Sequence, residues 1–198
     1  MHLEDVINTK YINSLNLRDL YINANPFPHI VLQDFLKVDL LDKVVEEFPD
    51  LALEKSAVKQ SNNEKEVKLS SQGMALLSPN ALMLNSYLQS DLMLNWLNGL
   101  TGIDEPLISD PYLAGGGYHE IKSGGLLKIH ADFNKHPKLD LDRRLNMIIY
   151  LNKDWQESWG GGLQLFDTNM EEPIKSVVPH FNTAIIFSTT SYTYHGHP

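Results

Sequence analysis

Cysteine is absent from all 198 residues, which excludes disulfides, zinc–thiolate sites and thiol nucleophiles together. No apolar run approaches the roughly 18 to 20 residues a membrane-spanning helix needs, so no membrane partner is expected. Positive charge is scarce: 16 Lys and Arg stand against 25 Asp and Glu, the net charge is −9, and Arg occurs only at Arg18, Arg143 and Arg144. Without a basic stripe to neutralise phosphates, no nucleic-acid partner is expected. Internal repeats and low-complexity tracts are also missing. Glu4 and Asp5 stand where a signal peptide would carry positive charge. These absences point to a cytoplasmic setting. What remains, with 42% hydrophobic residues, suits one domain spanning 1–198.

The texture of the chain changes near Pro111. Residues 1–110 read as a mainly helical N-terminal layer. Leu3 to Leu20 has loose helical spacing, and Asn25-Pro26-Phe27-Pro28 breaks it, because each Pro fixes φ and disfavours helix in the residue before. His29 to Phe35 is a strand candidate. Leu40, Leu41, Val44, Val45 and Phe48 form one helical stripe over Asp39 to Phe48. Ser56 to Gln72 is polar and reads as a solvated loop or lid. A helix pair follows, started by Ser78-Pro79 and stopped by Asn98-Gly99. From 111 to 198, short apolar runs alternate with turn residues at Tyr118 to Lys122, Leu126 to His130, Leu145 to Leu151, Leu163 to Phe166, Ile174 to Val178 and Ala184 to Phe187. That spacing predicts an antiparallel barrel or two-sheet sandwich, giving an α+β fold with a jelly-roll core.

The chemistry concentrates in His130-Ala131-Asp132 and in His195, 63 residues beyond Asp132. Residues i and i+2 of a strand point to one face, so His130 and Asp132 can share a metal. Several intervening strands allow the strand of His195 to become their neighbour. Two imidazoles and one carboxylate are the ligand set of the facial triad for Fe(II). His197 lies on the same strand face as His195, but Gly196-His197-Pro198 reads as strand exit and favours His195. His119, His136 and His180 read as exposed or satisfied histidines.

The segment Tyr150-Leu151-Asn152-Lys153-Asp154-Trp155, then Gly160-Gly161-Gly162-Leu163-Gln164-Leu165-Phe166, together with H-x-D and the distal His, resembles the prolyl-hydroxylase-like Fe(II)/2-oxoglutarate oxygenases. The HIF prolyl hydroxylases and prolyl 4-hydroxylases are members of that group, and the resemblance covers Tyr118 to Pro198. It implies a double-stranded β-helix and a dioxygenase using Fe(II), 2-oxoglutarate and O₂, with ascorbate as a candidate addition. The reaction implied is hydroxylation of a C–H bond, releasing succinate and CO₂. The substrate is expected to be peptidyl, with proline the first candidate, or a small molecule. By position, His130, Asp132 and His195 match the iron ligands. Tyr150 matches a residue reaching the far carboxylate of 2-oxoglutarate, and Leu163 an apolar pocket wall. Asn146, on the face of Tyr150, is a further pocket candidate.

Such enzymes also place an Arg about ten residues past the distal His, where its planar fork pairs a carboxylate bidentately. The sequence stops at Pro198, before that position, and the expectation is a truncated form missing its last core strand. Stopping here exposes a strand edge that a partner chain, as in a homo-oligomer, would cover. Lys128, two residues before His130, is a candidate substitute cation. Arg143 and Arg144, at the strand entrance, are expected to be solvated or ion-paired without a catalytic role. The rival reading is a catalytically impaired jelly-roll module that only binds metal. A zinc hydrolase is a weaker third, since the same ligands suit catalytic zinc.

Overall fold

The computed structural model describes residues 2–197. In chain order its elements are α1 (Arg18–Ile22), β1 (His29–Leu32), α2 (Val38–Glu46), β2 (Val58–Asn62), β3 (Glu66–Ser71), α3 (Pro79–Leu88) and α4 (Asp91–Thr101). Then come β4 (His119–Glu120), β5 (Leu126–His130), β6 (Leu145–Ile149), β7 (Leu163–Phe166), β8 (Lys175–Val177), β9 (Ala184–Ser188) and β10 (Tyr194–His197). The strands form two antiparallel sheets. The minor sheet has the order β1-β9-β6; the major one runs β2-β3-β5-β10-β7-β8, with β4 beside β3. This is the α+β jelly roll expected from the sequence.

The central strand of the minor sheet, β9, is buried on both faces. Ile30, Leu32, Ala184 and Ile186 pack with Leu41, Val44, Met93, Trp96 and Leu100 of the helical layer. On the other side Ile185 and Phe187 meet Leu163, Leu165 and Val177 of the major sheet, with Phe27 closing the end. Strand β9 therefore reads as an unbroken apolar run, because neither face meets water. Each of its buried Ile and Phe side chains contributes about 1.5–3 kcal/mol of burial energy.

Three expectations for the N-terminal part need correction. Leu3 to Leu20 is not one helix but three short 3₁₀ turns leading into α1. Its backbone is drawn into pairing with the segment after β1: Asn8 donates to the Phe35 carbonyl (2.8 Å) and Lys37 to the Val6 carbonyl (2.8 Å). Asn8 also caps locally, its side chain accepting from the Lys10 N–H, which competes with helix. The polar stretch Ser56 to Gln72 is not a loop. It forms the β2–β3 hairpin, and β3 pairs with β5 at Glu66↔Leu127 and Val67↔Leu126. Backbone pairing overrides the polar composition there. Finally, α4 runs past Asn98-Gly99 to Thr101 and ends at Gly102, whose φ is +69°. Gly99 is a close-approach residue inside the helix, since a Cβ there would collide with Ser14 Oγ. Ser78 and Pro79 do start α3, the Ser78 hydroxyl accepting from the Ala81 N–H at 3.4 Å.

Candidate metal centre

The site forms where β10 lies between β5 and β7. His195 is in register with His130 on one side and Leu165 on the other, so two residues far apart in sequence become cross-strand partners. Their ring centroids are 4.5 Å apart. Asp132, just past the end of β5, brings Oδ1 to 3.6 Å from His130 Nε2 and 3.9 Å from His195 Nε2. One ligand atom from each of the three lies within 4.8 Å of the others. Beneath His195, the Phe187 ring stands edge-on with centroids 4.9 Å apart, giving the site an apolar floor.

Which nitrogen faces the site follows from the backbone. His130 Nδ1 meets the Lys128 carbonyl at 2.8 Å, and His195 Nδ1 meets the Thr193 carbonyl at 3.0 Å. A carbonyl only accepts, so each Nδ1 carries the proton and each Nε2 keeps its lone pair turned toward Asp132. Two neutral Nε2 donors and one carboxylate oxygen fit Fe(II) by ligand type and number. The electrostatics agree. Burial opposes ionisation of Asp132, but His130, Arg143, His195 and Asn146 together outweigh it and hold its carboxyl well below the usual range. Hydrogen bonding to Asp132 raises His130, while burial lowers His195. Metal and proton therefore compete for the same lone pairs.

Of the other sequence candidates, Asn146 sits on β6 and donates from Nδ2 to Asp132 Oδ2 at 2.7 Å, so it braces a ligand. Tyr150 lies just beyond β6 and packs against the inter-sheet cluster, where burial pushes its phenol up and keeps it protonated. Leu163 is a buried member of that cluster. Lys128 is exposed on β5 and makes no ion pair among the described residues. His197 continues strand β10 rather than leaving it; burial lowers its imidazole to about 4, and it is not in the three-residue cluster.

Two residues were not legible as site components. Arg143 approaches Asp132 Oδ2 at 3.4 Å, an ion pair with the metal-ligand candidate itself. Lys68, inside the hairpin read as a loop, pairs with Glu66 at 3.1 Å, and its charge lowers the basicity of His119, His130 and His197. The signal for Lys68 was the alternation Glu66, Lys68, Ser70 across β3, which polar composition concealed.

Comparison with known proteins supplies the context. Residues 116–198 match the family described as the 2OG-Fe(II) oxygenase superfamily. Over 180 residues the chain is 28% identical to prolyl 3-hydroxylase OGFOD1 of Xenopus laevis, covering 88% of this chain and 32% of that protein. The chain thus spans about a third of the length of that curated relative. Its fold is similar to a Trichoplax adhaerens prolyl hydroxylase solved with a hypoxia inducible factor oxygen degradation domain peptide fragment. There the TM-score is 0.65 at 17% identity, over 95% of this chain and 84% of the other. A Pseudomonas putida prolyl-4-hydroxylase gives 0.61 at 13% identity, over 93% and 91%. These likenesses identify the fold as that of the prolyl hydroxylases.

Proposed function

We propose, from the match of residues 116–198 to the 2OG-Fe(II) oxygenase superfamily, that the chain hydroxylates a prolyl residue of a peptide or protein. The observation that carries the reading is the convergence of His130 Nε2, His195 Nε2 and Asp132 Oδ1, with both Nδ1 atoms tied to backbone. Prolyl as the substrate class rests on the names of the three proteins compared above, each a prolyl hydroxylase.

Bound Fe(II), with 2-oxoglutarate and O₂, supplies the oxidising chemistry that places one oxygen atom in a C–H bond and releases succinate and CO₂. The chain's own residues do the rest. His130, Asp132 and His195 would hold the ion, through two imidazole nitrogens and one carboxylate oxygen. Phe187, edge-on to His195, and Leu163 of the same cluster give the site an apolar backing. Tyr150, held protonated by burial, would offer its hydroxyl to the far carboxylate of 2-oxoglutarate. Asn146 and Lys128 complete the candidate set, the first through Asp132 and the second as an exposed cation two residues before His130. The segment after β5 is closed on itself by the Lys135–Asp142 ion pair at 2.6 Å and leads into Arg143, which pairs with Asp132, a placement that suits a substrate lid.

The test combines the chain with Fe(II), 2-oxoglutarate, ascorbate and proline-containing peptides in air. The expected result is a peptide heavier by one oxygen atom, matched by an equal amount of succinate. Succinate without peptide oxidation removes the prolyl assignment and points to a small-molecule substrate. Tight metal binding with no succinate at all favours the metal-binding module.

A further inference from the structure

We infer that Arg143 is a positioning residue of the metal centre: with Asn146 it captures Oδ2 of Asp132 and leaves Oδ1 as the single ligating oxygen. The inference rests on the reading of His130, Asp132 and His195 as metal ligands. The two carboxylate oxygens are already sorted by their neighbours. Oδ2 receives Asn146 Nδ2 at 2.7 Å and the Arg143 guanidinium at 3.4 Å, whereas Oδ1 faces the two imidazoles at 3.6 and 3.9 Å.

Arg143 is itself held in place from several directions. Its N–H donates to the Asn134 carbonyl at 2.9 Å, and its carbonyl accepts from the buried Thr189 hydroxyl at 2.5 Å. Its guanidinium lies over the Phe133 ring, 4.5 Å from the centroid. Phe133 in turn occupies the space left by Gly115, where a Cβ would stand 2.9 Å from the ring edge. The neighbouring Arg144 makes the contrast. It reaches outward to Glu105 at 3.0 Å with 41% of its side chain exposed, while Arg143 keeps 18%. Adjacent arginines thus divide into one surface pair and one fixed brace.

The sign of the effect separates bracing from simple charge. A cation beside a dication repels it, so a purely electrostatic role predicts tighter metal binding when Arg143 is removed. A positioning role predicts the reverse, because groups orienting a ligand are worth about 10–100-fold in metal affinity. The experiment measures Mn(II) affinity and the visible spectrum of the Co(II) form for Arg143→Ala, Arg143→Lys, Asn146→Ala, Arg144→Ala and Asp132→Ala. We expect Arg143→Ala to bind Mn(II) about tenfold or more weakly, with a Co(II) spectrum altered as the freed carboxylate turns. Arg143→Lys should recover part of the loss and Arg144→Ala should change neither readout. If Arg143→Ala does not fold, Asn146→Ala carries the same test through the other half of the brace. Unchanged or tighter Mn(II) binding with an unchanged Co(II) spectrum overturns the inference. Failure of the unmodified chain to bind Mn(II), or binding retained in Asp132→Ala, overturns the metal-centre reading instead.

Discussion

Strands β9 and β5 have the same length and lie in facing sheets, yet they are held by different forces. Ala184, Ile185, Ile186 and Phe187 of β9 are all completely buried, packed on one side by helices and on the other by the major sheet. No residue of β5 is fully buried, and Lys128 in its middle is exposed. What β5 delivers, His130 and just beyond it Asp132, is fixed by carbonyl, amide and guanidinium contacts rather than by packing. The difference teaches where rigidity comes from in this fold. A close-packed strand at the centre supplies stability, and it backs a half-open strand that carries the candidate ligands.

Breaking the two strands separately should give separable losses. The largest is expected for Asp132→Ala, which removes the only carboxylate of the triad and should abolish Mn(II) binding in calorimetric titration while leaving a folded protein. Retained folding with lost binding is the signature expected of a ligand on a strand that packing does not depend on. Ile186→Ala should do the reverse. Its side chain is fully buried toward the helical layer, away from the triad, and its loss should cost about 2–5 kcal/mol in urea unfolding. Metal affinity of the folded fraction should be unchanged. A coupled loss of both would mean that the layers are not independent.

Asn182→Ala sharpens the same point at a smaller scale. Asn182, buried just before β9, accepts from the Leu36 N–H at 2.9 Å and donates to the Leu36 carbonyl at 2.8 Å. Its φ of +59° also suits Asn better than most residues. Removing this clamp leaves two buried backbone groups unpaired and should cost about 2–3 kcal/mol, read as a lower urea midpoint with an unchanged slope.

Such residues mark how far the sequence could be read. Strands β5 and β7 were legible to the residue, because their apolar runs are bounded by glycine and turn signals. The convergence of His130, Asp132 and His195 was legible through residue type and strand spacing. Arg143 was not, because an arginine before a strand carries no mark of whether it turns outward, as Arg144 does, or inward to Asp132. The β2–β3 hairpin was concealed for a related reason. Its stability comes from partners some fifty residues away, β4 and β5, so local composition gives no sign of it. Asn182 reads as an ordinary turn residue until the Leu36 backbone is placed beside it.

The smallest expected effect sets two histidines of these sheets against one another through pH. His29 on β1 is buried, pairs in register with Phe187 of β9, and has Nδ1 on the Phe27 carbonyl at 2.8 Å. Burial is the main cause that pulls its pKa below the ordinary 6.5, with the Phe27 contact opposing and Lys175 adding to the shift. The unfolded chain therefore binds a proton that the folded chain resists. His29 contributes its full stability above about pH 6.5 and loses it as pH falls toward the folded value, by at most about 1.4 kcal/mol per pH unit. His130 on β5 has the opposite sign. Its pKa is raised, first by its hydrogen bond to Asp132, so its contribution is present below about pH 6.5 and lost as pH rises through the folded value. Urea unfolding of the metal-free protein between about pH 5 and pH 8 separates them. His29→Gln should flatten the acid limb of the stability curve and leave the alkaline limb alone, while His130→Gln should act on the alkaline limb. An acid limb unchanged by His29→Gln would shift its origin to His195 and His197, whose burial also lowers them, and would place the pH sensitivity in the half-open sheet instead of the packed one.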